Sequence, residues 1–425
     1  MNQIATKTRC PGCREIVPAT LFERDRDVFL AAECSAHSAW EKLFFKDADL
    51  FEKLRRFHPT SPSVPNDGFN RNWAGFAPMV TTCTIDVTTR CNLNCPNCFS
   101  DAGSGSKPAG EPSVQEILGL LPPRPARGFV PNISLVGGES ILRNDIEQII
   151  AGITALGYTP RLNSNGKGLV DRGLITRLAA AGLKWVILQF DGFSSEVSKR
   201  FRGEDLVEHK LKVIALLAEF GINVHFAVML ETGVNDRELG EILRYAVRTP
   251  NVRRVSFYPR SNVGRNPAGR SDAGMHMSDV IRGLAESSNG TIIREDLLEF
   301  KTIWSRLFAL TGNPVFRNRA CLAPFIIQRD GENLIPLNRI IRPGADLKRW
   351  KRLAGLIVEL PRLWRFDRGD YSTDILPVNI EKFYDTAAFD QEASSNCHQA
   401  YLTKDGYIPF CLYNSFFRDR SPAGC

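Results

Sequence analysis

Six short β-rich runs alternate with segments of helical periodicity through the middle of the 425-residue chain, and this alternation narrows the fold more than any other feature. The runs are Thr82 to Val87, Asn132 to Val136, Thr159 to Leu162, Trp185 to Phe190, Asn223 to Met229 and Arg254 to Tyr258. Between them, apolar residues recur at helical spacing in Val114 to Leu121, Asp145 to Leu156, Leu169 to Ala181, Leu206 to Phe220 and Arg237 to Val247. Consecutive parallel strands need crossover connections, and the helices supply them. The expected fold is therefore α/β, a partial (β/α)6 barrel of the TIM type. Chemistry in such barrels gathers just after the carboxy-terminal ends of the strands.

The alternation has clear limits. Residues 1–58 form a small amino-terminal module, and the Pro-, Ser- and Gly-rich stretch from His58 to Gly68 marks residues 59–79 as a linker. The barrel is expected over 80–290. Residues 291–425, with a helical pattern from Arg294 to Leu310 followed by Pro-, Arg- and Cys-rich sequence, read as a separate carboxy-terminal module.

No apolar run reaches the roughly 18 residues needed to span a bilayer, and the first residues lack the apolar core of a secretion signal. The expected compartment is the cytoplasm, where the eleven cysteines are better read as metal ligands than as disulfides. The net charge of +7 is spread along the chain, so no nucleic-acid partner is expected.

The first strand runs into Cys91-Asn-Leu-Asn-Cys95-Pro-Asn-Cys98, a C-x3-C-x2-C arrangement. Three thiolates can hold three irons of a [4Fe-4S] cluster and leave the fourth iron open, unlike an electron-transfer cluster with four cysteines; a zinc site is the alternative. The second strand runs into Gly137-Gly138-Glu139-Ser140, where the glycines admit a close ligand and Glu139 can accept from an ammonium group. After the third and fourth strands come Asn163-Ser164-Asn165-Gly166 and Gln189-Phe190-Asp191-Gly192, polar strand ends suited to a ribose or a substrate, or to ordinary turns. The fifth leads to Asn235, and the sixth to Arg260 and Arg265, which can bind a carboxylate or phosphate. In the first module, Cys10-Pro-Gly-Cys13 and Cys34-Ser-Ala-His37 offer a tetrahedral Cys3His site for zinc, with rubredoxin-like iron the alternative. Cys83, on the first strand, reads as a small core residue.

The central motif resembles that of the radical S-adenosylmethionine (SAM) superfamily. Within it, the run from Cys91 to Arg265 is similar to a branch that includes the archaeal tetraether lipid synthases and the methylases of methanopterin's pterin precursors. The matching segments are Gly137 to Asp145, Leu188 to Phe193, Arg202 to Leu206 and Gly233 to Asp236. The resemblance implies an enzyme in which the open iron chelates SAM and one electron cleaves it to a 5'-deoxyadenosyl radical. It implies cofactor contacts from Gly137, Gly138, Glu139, Asn163, Ser164, Gln189, Asp191 and Asn235, with no catalytic side chain assigned beyond the cluster. Ser140 stands where the family usually has Pro. The resemblance further implies an auxiliary [4Fe-4S] cluster on Cys321, Cys397, Cys411 and Cys425, and a reducing partner such as flavodoxin or ferredoxin.

The implied reaction forms a carbon-carbon bond, as alkyl coupling or methylation, on a lipid-like or pterin-like substrate. A peptide-modifying maturase with an auxiliary cluster is the alternative. One local feature bears on the lipid option: Leu347, Trp350, Leu353, Ile357 and Leu360 recur at helical spacing among basic residues in 346–366. Such a helix suits peripheral contact with an anionic membrane, and equally suits packing on the domain with its charges solvated.

Overall fold

The computed structural model describes residues 2–55, 80–103, 110–124, 130–265, 274–301, 320–340, 373–395 and 397–418. The expected linker, the basic segment 346–366 and Cys425 lie outside these residues.

Four antiparallel strands, β1 (Ile4–Arg9), β2 (Ile16–Arg24), β3 (Asp27–Cys34) and β4 (Ser38–Phe45), make the amino-terminal sheet, and α1 (Ala48–Arg55) follows. The second sheet has eleven strands. Its centre is six parallel strands in chain order, β5 (Thr82–Thr88), β6 (Asn132–Gly137), β7 (Pro160–Ser164), β8 (Trp185–Gln189), β9 (Asn223–Leu230) and β10 (Val252–Pro259). Helices α2 (Val114–Gly119), α3 (Ile146–Ala155), α4 (Arg172–Ala180), α5 (Ser195–Arg202), α6 (Val207–Glu219) and α7 (Leu239–Arg248) lie between them, and α8 (Met277–Ser287) follows. The strand and helix positions agree with the sequence periodicity to within a few residues at each end.

Period-2 alternation explains how these strands serve both a core and a cavity. Leu135, Leu162, Leu188, Phe226, Val228 and Phe257 point outward and are fully buried under the helices. Their neighbours Ser134, Asn163, Gln189, His225 and Tyr258 point the other way and line the interior. The lumen is therefore polar, where many barrels fill it with branched apolar side chains.

The expected separate carboxy-terminal module does not form a separate sheet. Strand β13 (Ile375–Glu381) joins β10 in parallel and carries β11 (Leu322–Asp330) and β12 (Asn333–Pro336) antiparallel beside it. At the opposite edge β14 (Gln399–Thr403) pairs in parallel with β5, and β15 (Gly406–Pro409) pairs with β14. An open parallel sheet leaves unpaired N–H and C=O groups along both edges, and these strands cover them. The two extensions meet where Gln399 Nε2 donates to Glu381 Oε2 at 3.5 Å. A cluster of Phe99, Phe383 and Phe410, with centroids 4.9–5.6 Å apart, closes the same side beside Cys98.

Candidate functional site

Strand β5 delivers Cys91, Cys95 and Cys98 to the mouth of the lumen on a loop held from three directions. Gly138 N donates to Thr88 O and Glu139 N to Arg90 O, each at 2.8 Å, tying the start of the loop to the end of β6. Cys98 and Arg265 exchange backbone hydrogen bonds of 3.0 and 2.9 Å. The Arg265 side chain donates to Cys95 O at 3.0 Å and Ala102 O at 2.7 Å. Expected as an anion binder, Arg265 is instead a strap across the cysteine loop. The glycines serve the same close packing: a Cβ on Gly137 or Gly138 would lie 2.0 Å from the carbonyl oxygen of Thr88 or Arg90, and one on Gly264 would lie 2.3 Å from Cys98 O.

All three cysteines line the cavity with Gly137 and Gly138. Among the described residues, the one group of His, Cys, Asp and Glu whose ligand atoms lie within 4.8 Å of one another is Cys10, Cys13, Cys34 and His37. Three thiols on one loop at the mouth of a cavity suit a cluster that keeps one iron open to a ligand. Burial pushes the Cys91 thiol up to about 11, so an iron ion must displace a firmly held proton.

Behind Cys95 lies a buried charge network that periodicity and motif spacing had not revealed. Arg202 donates bidentately to Asp191, at 2.7 Å to each oxygen, and its positive charge bears on the neighbouring Cys95 thiol. Lys210 Nζ stands 4.0 Å from Asp191. Although burial raises it, Arg202 and Lys210 hold the Asp191 carboxyl below its usual range. Burial also lowers Lys210, to about 8.

This network changes the reading of several expected cofactor contacts. Gly137, Gly138, Asn163, Ser164 and Gln189 line the cavity, whereas Glu139, Asp191 and Asn235 do not. The Glu139 carboxylate turns inward, accepting from Ser164 Oγ and Asn165 N, each at 2.8 Å. Burial raises it to about 7 against the pull of those donors. Asn235 is fully buried and donates to Asp191 O at 2.8 Å and Met229 O at 2.7 Å. In this structure their polar atoms are taken by neighbouring groups, Ser164 Oγ and Asn165 N for Glu139, Arg202 and Met229 N for Asp191, and two backbone carbonyls for Asn235. Asn165, singled out only as part of a turn, faces the cavity, with Nδ2 2.8 Å from Asn92 Oδ1 and 3.9 Å from Cys91 Sγ.

The cavity, about 360 Å³, continues from the cysteines down the lumen to Arg161, His225 and Arg254. Sequence reasoning missed these residues. The available signal was a charged or polar residue at an inward position within runs that otherwise read as buried strand. Arg260 also lines the cavity, 3.4 Å from Glu231.

The amino-terminal set brings Cys13 Sγ to 3.7 Å from Cys34 Sγ, and Cys34 Sγ to 3.8 Å from His37 Nδ1. The Cys13 backbone N–H holds the Cys10 thiol below its usual value. Three thiols and an imidazole at this spacing fit one tetrahedral ion. The sheet that carries them docks on the carboxy-terminal residues: Thr6 Oγ1 donates to Asp390 at 2.8 Å, Arg9 Nε to Gln391 at 2.9 Å and Arg14 Nη1 to Phe416 O at 2.9 Å. Cys83 is fully buried on β5, as a core residue should be. Cys321 lies just before β11, Cys397 just before β14 and Cys411 just after β15.

The sequence profile of the radical SAM superfamily matches residues 85–246, and that of the HMPTM N-terminal zinc ribbon domain matches residues 4–45. A 7,8-dihydro-6-hydroxymethylpterin dimethyltransferase of Methanocaldococcus jannaschii is 27% identical over 482 residues, spanning 97% of this chain and 94% of that protein. A probable GTP 3',8-cyclase of Pyrococcus abyssi is 28% identical over 172 residues, which cover 40% of this chain and 54% of the relative. Among solved structures, that of Streptococcus suis SuiB aligns with a TM-score of 0.41 at 16% identity, over 49% of this chain and 46% of its own.

Proposed function

This chain belongs to the radical SAM superfamily, and from that premise we propose that it is a methylase forming a carbon-carbon bond on a pterin-like small molecule. The observation that carries the substrate class is the reach of the likeness to the pterin dimethyltransferase, which runs through ribbon, barrel and carboxy-terminal strands. The cyclase likeness spans a stretch about the size of the barrel domain alone. The lipid alternative leaned on residues 346–366, which lie outside the described residues. Among the described residues no helix is long and apolar enough to cross a membrane.

The cluster and SAM, when bound, supply an electron and a 5'-deoxyadenosyl radical. The remaining tasks fall to the chain. Cys91, Cys95 and Cys98 would hold the [4Fe-4S] cluster. The backbone of Gly137 and Gly138, with Asn163, Ser164 and Gln189, offers the polar contacts for SAM at the lumen mouth, while Glu139, Asp191 and Asn235 fix the geometry of that rim. Arg202 places a cation against Cys95. Phe99, Phe383 and Phe410 keep water from the reacting carbon. An external reductant, such as flavodoxin or ferredoxin, delivers the electron. Zinc is the ion for Cys10, Cys13, Cys34 and His37.

An auxiliary [4Fe-4S] cluster belongs to the same proposal. Strand register supports it: Lys382 N donates to Cys321 O, Ala400 pairs with Pro409, and Gln399 reaches Glu381. These pairings draw Cys321, Cys397 and Cys411 toward the closure of the sheet.

The test is incubation of anaerobically reconstituted protein with reductant, 6-hydroxymethyl-7,8-dihydropterin and an excess of SAM, followed by mass spectrometry; the SAM cleaved to the radical keeps its methyl in methionine, so a second SAM molecule is to supply the methyl that is transferred. 5'-Deoxyadenosine together with a pterin heavier by one or two methyl groups is expected. 5'-Deoxyadenosine with no change in the pterin overturns the substrate assignment. Metal analysis should find about eight irons and one zinc per chain, with about four irons lost in the Cys91→Ala, Cys95→Ala, Cys98→Ala variant; about four irons in the wild type would remove the auxiliary cluster.

A further inference from the structure

The strands that extend the sheet at its two edges give the cavity a chemistry that the six central strands lack. On β13, Val378 and Ile380 are fully buried in the core, while the alternate residues Asn379 and Glu381, and Phe383 beyond the strand, line the lumen. Gln399 and Tyr401 of β14 line it from the other edge. Among the described residues around the cavity, Glu381 is the one carboxylate.

Two side-chain amides aim this group. Asn379 Nδ2 donates to Glu381 Oε1 at 2.9 Å, and Gln399 Nε2 donates to Oε2 at 3.5 Å. A carboxylate has about four lone-pair sites, so one amide on each oxygen sets its orientation without exhausting its capacity. Two acceptor oxygens held side by side match two adjacent N–H donors on a ligand, as they match the fork of an arginine.

A flat wall stands beside the carboxylate. The rings of Tyr258 and Phe383 stack with centroids 5.2 Å apart and planes 10° from parallel, and Phe410 lies 5.1 Å from Phe383. All three line the cavity, and their faces favour a planar ring. Round the lumen, β13 stands four strands from β7 by way of β10 and by way of β14 alike. Glu381 and the rim residues Asn163 and Ser164 therefore lie on opposite sides of the cavity.

We propose that Glu381 orients the substrate: its carboxylate accepts the ring N–H and the exocyclic amino group of a 2-amino-4-oxopyrimidine edge, while the ring lies against Tyr258, Phe383 and Phe410. This rests on the proposed function, which puts SAM at the opposite rim. A pterin anchored by this edge presents its far ring, the one bearing the hydroxymethyl group, across the lumen toward SAM. Guanine carries the same edge, and the experiment separates the two sources.

The probes are 6-hydroxymethylpterin and 6-hydroxymethyllumazine, in which a carbonyl replaces the amino group, titrated by fluorescence into anaerobically reconstituted enzyme with SAM. The wild type should bind the pterin about tenfold or more tightly than the lumazine, because the carbonyl sets an acceptor against an acceptor. In Glu381→Gln the side chain offers one acceptor and one donor, which suit the N–H and carbonyl of the lumazine, so the preference should vanish or reverse. Glu381→Asp withdraws the carboxylate by one methylene and should cut the preference several-fold. Equal binding of the two probes to the wild type overturns the role of Glu381 and leaves the pterin assignment standing. An unchanged preference in either variant with full iron also overturns it, and would make the carboxylate a counter-ion in the wall. If neither probe binds, yet guanosine raises the melting temperature of the wild type and inosine, which lacks the amino group, does not, the pterin assignment falls and the role of Glu381 stands. If the nucleosides have no effect either, both fall.

Discussion

Arg202 shows how a single side chain can serve both stability and redox chemistry. Its guanidinium is almost wholly buried between Asp191 and Cys95. Arg202→Met should cost about 3–5 kcal/mol, because it leaves a buried carboxylate without its partner; urea unfolding of the apoprotein measures this. In the loaded protein the same change removes a cation beside one thiolate, so EPR-monitored redox titration should find the cluster harder to reduce. Glu139 makes a pH-dependent contribution of definite sign. Its carboxyl is raised from the ordinary 4.5 to about 7, so the native state binds the proton more tightly than the unfolded chain. The stabilisation it gives is complete below about pH 4.5 and is lost as pH rises through about 7. The stability difference between wild type and Glu139→Gln should therefore change across that window and be flat above it. A difference that is flat from pH 4 to 8 would mean that Glu139 does not titrate there.

At the level of elements, the cysteine loop depends on contacts made by other strand ends. Gly264 has a φ of 66° and abuts Cys98 O, at the point where Cys98 and Arg265 pair. Gly264→Ala should force the two segments apart, because the clash is with backbone and cannot be relieved by a rotamer change. The expected result is loss of iron from the SAM cluster with zinc retained, measured by metal analysis and EPR. The cysteines, the glycines and the strand order were all legible in the sequence, since spacing along one chain reports them. The backbone partners of Arg265 and the inward hydrogen bonds of Glu139 were not legible, because a motif shows residue type and neighbourhood, whereas the direction of a side chain is decided by the groups that lie opposite it.

For the whole molecule, the ribbon and the two sheet extensions lock one another in place. The ribbon holds Asp390, Gln391 and Phe416. The helical turn that follows β15 in turn reaches β5, where Tyr413 and Arg418 engage Asp86 at 2.9 and 3.0 Å. Cys13→Ser, or removal of zinc by a chelator, should therefore lower the melting temperature of the entire chain, by about 1 °C for each kcal/mol of docking lost. Hydrogen exchange should speed up at β14 and β15 as well as in the ribbon. Faster exchange confined to residues 4–45 would show that the ribbon folds independently of the rest.

The sequence alone determined the chemistry at the mouth of the lumen and the class of fold. Local spacing fixes three thiols after one strand, and strand-helix alternation fixes a parallel sheet. Tertiary structure decided the rest, because it depends on residues distant in the chain. Parallel pairing brings His225 beside Arg254, although the sequence separates them by a whole helix. The same physics carries residues 375–409 to opposite edges of one sheet, since edge strands find partners by unpaired hydrogen-bonding groups and not by position in the chain.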